Sequence, residues 1–146
     1  MISPFVEESF TYKGYPCMVL FMPMAFRCGY VGLPKESRFY QKEYDSIPVE
    51  CHCGLTYASS NLYGQEDKDI WWIGFDCCHY CDGFDSEKAN EYFKDSKEVQ
   101  RYLSMFKGYH SYINKDRGFR TLDYVKENCR RIVKQIILLE KGENIL

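Results

Sequence analysis

Several features that would assign a chain directly are missing from this one. It has no surplus of positive charge, with 19 Lys and Arg against 21 Asp and Glu, net −2. That excludes generic nucleic-acid binding driven by neutralised phosphates. Met1–Phe10 carries Pro4, Glu7 and Glu8 and no basic segment, so it does not read as a secretory signal. No apolar run approaches the ~18 residues of a membrane span. The expectation is a protein that stays in the cytosol in which it is made. Repeats, low-complexity stretches and composition breaks are absent, and 146 residues then imply one domain with its own core. There is no HExxH pair, GxSxG elbow, Walker loop or GxGxxG turn, so no named hydrolase or dinucleotide motif is present.

What is abundant is aromatic and sulfur chemistry. Aromatics make up 17% of the chain and include 13 Tyr. Tyr joins an apolar body to a polar tip, which suits both a mixed core and a binding surface. Eight Cys in a cytosolic chain are expected to be thiols or metal ligands rather than disulfides. Charge is uneven. Residues 61–100 hold 10 acidic and 4 basic groups, net −6, and residues 101–146 hold 10 basic and 5 acidic, net +5. The two segments can attract each other in the fold, or dock partners of opposite sign.

Apolar runs predict strands at Tyr15–Met22 and Phe26–Val31, joined as a hairpin through Pro23-Met24-Ala25. Lys35–Ile47, between Pro34 and Pro48, reads as a loop with one helical turn. Val49–Ala58 reads as a strand with a bulge at Gly54. Ser59–Asp69 is a polar turn region, and Ile70–Asp76, apolar on both faces, reads as the central strand. Cys77–Asp85 is a loop beyond its end. Ser86–Phe93 is a weak helix, and Lys97–Phe106, after an N-cap at Ser96, a clearer one. Gly108–Gly118 reads as a loop. From Leu122, steps of three and four through Val125, Cys129, Ile132, Ile136 and Leu139 trace one stripe of an amphipathic helix capped by Thr121 and followed by Gly142. The class expected is α+β: a small antiparallel-type sheet with this long C-terminal helix packed across it.

Chemistry concentrates in Trp71–Gly83, WWIGFDCCHYCDG, and in Cys51-His52-Cys53-Gly54. Three readings compete. Cys51, Cys53, Cys78 and Cys81 can form a four-thiolate zinc site, since Cys78-x-x-Cys81-x-Gly83 has knuckle spacing. No cofactor is otherwise required. Alternatively His52, Asp76, His79 and Asp82 form a polar site for acid–base work, a divalent metal or a bound ligand. Or His and Asp at a strand end simply hydrogen-bond loop amides, with cysteines as small packed hydrophobes. Arg27, inside the apolar hairpin, is either an edge residue whose stem reaches water or an anion binder.

Several stretches together resemble a family of small bacteriophage and prophage proteins. They are Gly14–Cys17, Arg27–Lys35, His52–Tyr57, Trp71–Asp82 and Leu122–Cys129, similar to the patterns RCGYVGVPKGHP, HGGLTY, WWFGFDCAHAGD and RDLDYVxxEC. The shared pattern retains His52, Gly54, Leu55, Thr56, Asp76, Cys77, His79 and Asp82. It has Gly, Ala and Gly where this chain has Cys53, Cys78 and Cys81. The resemblance therefore implies a His/Asp site as the common feature and any zinc site as an addition. Its phage setting implies an accessory role against host defence, exercised by binding a host protein or a nucleotide-derived signal. In that expectation Tyr30, Tyr57 and Trp72 stack a base, Arg27 and Lys35 meet phosphate, and His52, Thr56, Asp76, His79 and Asp82 line the ligand. A metal-dependent phosphoester hydrolase and a zinc-stabilised interaction module stand as alternatives, and self-association is compatible with each.

Overall fold

The computed structural model describes residues 2–142. Its strands are β1 (Phe5–Tyr12), β2 (Tyr15–Phe21), β3 (Arg27–Pro34), β4 (Tyr57–Ser59), β5 (Asn61–Leu62), β6 (Gln65–Glu66) and β7 (Ile70–Asp76). Five of them form one antiparallel sheet in the order β1-β2-β3-β7-β4, and β5 and β6 form a separate small hairpin. The helices are α1 (Ser86–Tyr92), α2 (Lys97–Met105), α3 (Lys107–Asp116) and α4 (Leu122–Glu140). The fold is α+β, with α4 laid across one face of the sheet.

Alternation along the strands divides the apolar residues between two faces. Cys17, Val19, Val31, Leu33, Ile73 and Phe75 meet Val125, Cys129, Ile132, Val133 and Ile136 of α4 in the main core. Leu20, Cys28, Tyr30 and Trp72 lie on the opposite face with Leu62 of the β5–β6 hairpin. A third cluster seats Phe21 and Ala25 against Ala89, Phe93 and Val99 of α1 and α2. Cover on both faces explains why β7 is apolar at nearly every position. α4 follows its predicted stripe, and Thr121 Oγ1 caps it by accepting from the Tyr124 N–H.

Where β3 pairs β7, Gly29 lies opposite Phe75 and Tyr30 opposite Gly74. A Cβ on Gly29 would sit 2.6 Å from the Phe75 ring, and one on Gly74 would sit 2.4 Å from Cδ1 of Tyr30. Each ring fills the space left by the other strand's glycine, on opposite faces of the sheet.

Three expectations are corrected and one unassigned element is added. β3, not β7, is the middle strand, and β7 lies second from the edge, covered only by the three residues of β4. Val49–Ala58 is a strand only from Tyr57 onward. Cys53 and Gly54 take φ of +55° and +83°, and Gly54 N–H closes a turn on Cys51 O, which an extended strand does not permit. Gly108–Gly118 is mostly helix, α3, because His110 and Ile113 bury one side and Gly108 falls in the tolerant first turn. Finally, β1 adds an edge strand through a two-residue turn at Lys13-Gly14, both with positive φ. Its alternating sequence FVEESFTY is half exposed, so it carries little apolar signal.

Candidate functional site

β7 ends at Asp76, whose side chain lies on the face away from α4, opposite Cys28 of β3. The chain then turns sharply. His79 N–H and Asp82 N–H each bond across the turn, to the Asp82 carboxylate and the His79 carbonyl. Gly83 follows with its N–H on the Gly118 carbonyl. A Cβ there would meet Asn114 Oδ1 at 2.4 Å and the Arg117 carbonyl at 2.6 Å, so the loop is pressed onto the α3–α4 connection.

This turn delivers Asp82 into the interior, where its side chain is 2% exposed and that of His52 is 5% exposed. Asp82 Oδ2 accepts from His52 Nε2 at 3.0 Å and from the His79 N–H at 3.0 Å, and Oδ1 accepts from Arg120 Nε at 2.8 Å. With Nε2 donating to the carboxylate, Nδ1 of His52 pairs with the Tyr124 hydroxyl at 2.8 Å. The His52 N–H donates to Asn128 Oδ1 at 2.8 Å, and Asn128 Nδ2 donates to the Tyr124 carbonyl. Burial pushes the Asp82 carboxyl up, but Arg120, His52 and the His79 amide outweigh it and hold it below its usual value. The pair is thus a saturated clamp joining the 50s loop, the 77–85 loop and the start of α4. Neither His52 ring nitrogen is free to take a proton from a ligand.

The open site lies on the other face. An open-mouthed cavity of about 350 Å³ is lined by Tyr30, Thr56, Tyr57, Tyr63 and Asp76, together with Met22, Phe26, Cys28 and Phe75. The rings of Tyr57 and Tyr63 are nearly parallel, 4° apart in tilt and 6.4 Å between centroids. Tyr30 stands almost perpendicular to both, at 5.3 and 6.3 Å. The three rings make a box. Tyr57 donates to the Asn61 carbonyl and Tyr30 to the Tyr63 hydroxyl at 3.3 Å, which fix two of its walls. Asp76 Oδ2 accepts from Thr56 Oγ1 at 3.0 Å and Oδ1 from the Cys78 N–H at 3.1 Å, leaving lone pairs on both oxygens. Among the described residues Asp76 is the sole charged one lining the cavity. Burial foremost holds the Cys28 thiol up at about 12, so it lines the cavity as a neutral group. His79 stands between the two regions. Its ring Nε2 lies 3.2 Å from Asp76 Oδ1 but off the hydrogen-bonding direction, and it is a buried atom without a hydrogen-bond partner among the described residues.

The expected residues therefore separate. Tyr30, Thr56, Tyr57 and Asp76 come together around the cavity, His79 borders it, and His52 and Asp82 lie in the clamp behind. Arg27 is not an anion site. It is buried, with Nε and Nη2 on the Glu7 carboxylate at 2.6 and 2.9 Å and Nη1 on Asp85 and the Arg120 carbonyl at 2.9 Å each. Two carboxylates already offset its charge. Lys35 is exposed and pairs with Asp69 at 2.8 Å, away from the cavity. Trp72 is buried in the cluster that contains Tyr30 and offers no face to the cavity. The four cysteines do not converge: Cys51 packs against the main core and Cys78 is exposed, whereas Cys53 and Cys81 approach His52. Tyr63, Arg120, Tyr124 and Asn128 were not anticipated. Arg120 had a signal in the basic C-terminal segment facing an acidic middle, which its pair with Asp82 realises, and Tyr124 had one in the Leu122–Cys129 stretch.

Comparison with protein-family models, curated proteins and solved structures finds no match to this chain.

Proposed function

We propose that the protein binds the base of a nucleotide-derived signal without turnover, and so sequesters a messenger of defence in the cytosol of a phage-infected host. The observation that carries this reading is the box of Tyr30, Tyr57 and Tyr63 with Asp76 at its side. Planar bases stack on tyrosine faces, and a carboxylate with free lone pairs accepts from the N–H groups of a base edge. A ring held between two others needs about 7 Å, two van der Waals layers. The 6.4 Å between the Tyr57 and Tyr63 centroids is an upper limit on the gap between their planes, so a base enters as Tyr63, 45% exposed at the tip of the β5–β6 hairpin, swings outward. With no basic residue among the described residues of the lining, the phosphates of such a ligand face solvent. Sequestration is favoured over hydrolysis because both nitrogens of His52 and both oxygens of Asp82 are already engaged in the clamp. Among the described residues no helix is long and apolar enough to cross a membrane.

Titration calorimetry against nucleosides and linear and cyclic nucleotides tests this. Binding should follow the base, and Tyr63→Ala should weaken it by about 1–3 kcal/mol, roughly 5- to 150-fold. Heat denaturation should return the ligand intact by mass spectrometry. Failure of every base to bind, or product in excess of protein, refutes the reading. A host protein as partner is favoured by one other observation, the exposure of Met105, Phe106, Tyr109 and Tyr112 along α2 and α3. Tyr109→Glu would abolish that docking and leave base binding unchanged.

A further inference from the structure

Two turns meet behind the clamp. One runs through Cys51–Gly54 and the other through Cys78–Gly83. At their tips a ring nitrogen of His52, the Sγ of Cys53 and the Sγ of Cys81 all lie within 4.8 Å of one another. We propose that His52, Cys53 and Cys81, completed by Asp82, form a binding site for a soft divalent cation, zinc in the first instance. This rests on no part of the tyrosine-box reading.

The donor set suits the ion. Two thiolates and an imidazole are the ligands of zinc, with bonds of about 2.3 Å to sulfur and 2.0–2.1 Å to nitrogen. Around one such ion the donors stand roughly 3.5–4 Å apart, so the present group needs only a small contraction. His52 is already oriented from behind by the Tyr124 hydroxyl on Nδ1, the outer-shell contact that metal-binding imidazoles carry. That leaves Nε2, 3.0 Å from Asp82 Oδ2, as the ligand atom, and Asp82 Oδ1 lies 3.9 Å from Cys81 Sγ. The ion would enter where the His52–Asp82 hydrogen now lies. Both thiols release their protons to solvent, and the ring proton moves from Nε2 to Nδ1, from which it donates to Tyr124. Cys53 is exposed and Cys81 half-buried, which leaves a way in. Cys53 also holds a left-handed φ of +55° that a glycine would adopt without strain.

The test uses the full chain, stripped with chelator and kept reduced, titrated with cobalt(II) and then zinc. The expected result is one cobalt per chain with a thiolate-to-cobalt charge-transfer band and tetrahedral d–d bands, bleached by zinc. Cys53→Ser and Cys81→Ser should lose the charge-transfer intensity, and Cys51→Ser and Cys78→Ser should keep it. Tyr124→Phe should weaken zinc about 10- to 100-fold. Cys53→Gly relieves the left-handed strain, so its metal-free form should melt no lower than the parent and gain nothing from zinc. No cobalt band in the parent, a band that survives loss of Cys53 or Cys81, or one that disappears with Cys51 or Cys78, overturns the proposal.

Discussion

Replacing Asp82 tests the buried clamp most directly. In Asp82→Ala, three donors lose their acceptor: His52 Nε2, the His79 N–H and Arg120 Nε. The Arg120 side chain is 32% exposed and regains water, so its share is small. The other two donors point inward, and each bond to an ionised acceptor contributes about 1.5 kcal/mol or more. The expected loss is about 3 kcal/mol, which for a chain of this size lowers the melting temperature by roughly 6–12 °C. Asp82→Asn should cost nearly as much. Its amide nitrogen must face either Arg120 or the His79 N–H, donor against donor in both orientations. The effect carries a pH signature. Because folding lowers the Asp82 pKa, its contribution is complete above the ordinary carboxylate value of about 3.9 and is lost as pH falls through the lower folded value. Thermal and urea melts of the parent and Asp82→Ala should therefore converge in acid and separate at neutral pH. A difference below about 1 kcal/mol at neutral pH, or one that does not change in acid, refutes the account.

Glu7→Ala should be as damaging, about 3 kcal/mol by urea melt, because it leaves Nε and Nη2 of the buried Arg27 without their acceptor, with Asp85 alone to offset the charge, and removes the acceptor of the Tyr92 hydroxyl. Gly74→Ala would push a methyl group against Tyr30 and the Gly29 carbonyl, costing about 1–3 kcal/mol in melts and disturbing the box, so base affinity should fall with stability. In metal-free protein, timed alkylation with peptide mapping should label Cys53 and Cys78 first, while Cys17, Cys28, Cys77 and Cys129 stay protected by burial.

How much of this was legible depends on the range of the interactions involved. α4 was readable because its stripe, cap and following glycine are local features that the core merely uses. The β2–β3 hairpin and β7 were readable as apolar runs. The 49–56 segment was not, because the left-handed Cys53 has a side chain that gives no warning of a turn. α3 was hidden between glycines, and its inward residues, His110 and Ile113, acquire meaning only when Ser86 and Tyr102 supply partners for the imidazole. At the site, Asp76 and Asp82 are six positions apart, one ending β7 and the other in the loop that follows, yet one faces the tyrosines and the other the α4 side. Tyr63 reaches the cavity only through a hairpin that sets it beside Tyr30, 33 residues away in sequence, a pairing that no periodicity announces.

The crossed glycines of β3 and β7 have a mechanical consequence. Sliding β7 by two residues, the smallest slip that keeps every side chain on its own face, would set Tyr30 against Trp72 or Asp76, and Phe75 against Arg27 or Val31. No such neighbour fits where only a hydrogen now stands. Strand alignment is thereby written twice, once on each side of the sheet, in the shapes of two rings. The same alignment brings Asp76 opposite Cys28 and fixes Tyr30 as an immovable floor of the cavity. Tyr63, on its exposed hairpin tip, is tethered to Tyr30 by a 3.3 Å hydroxyl hydrogen bond and not by a ring seated against glycine. The pocket can therefore adapt from one side alone, and the β5–β6 hairpin sets what it admits.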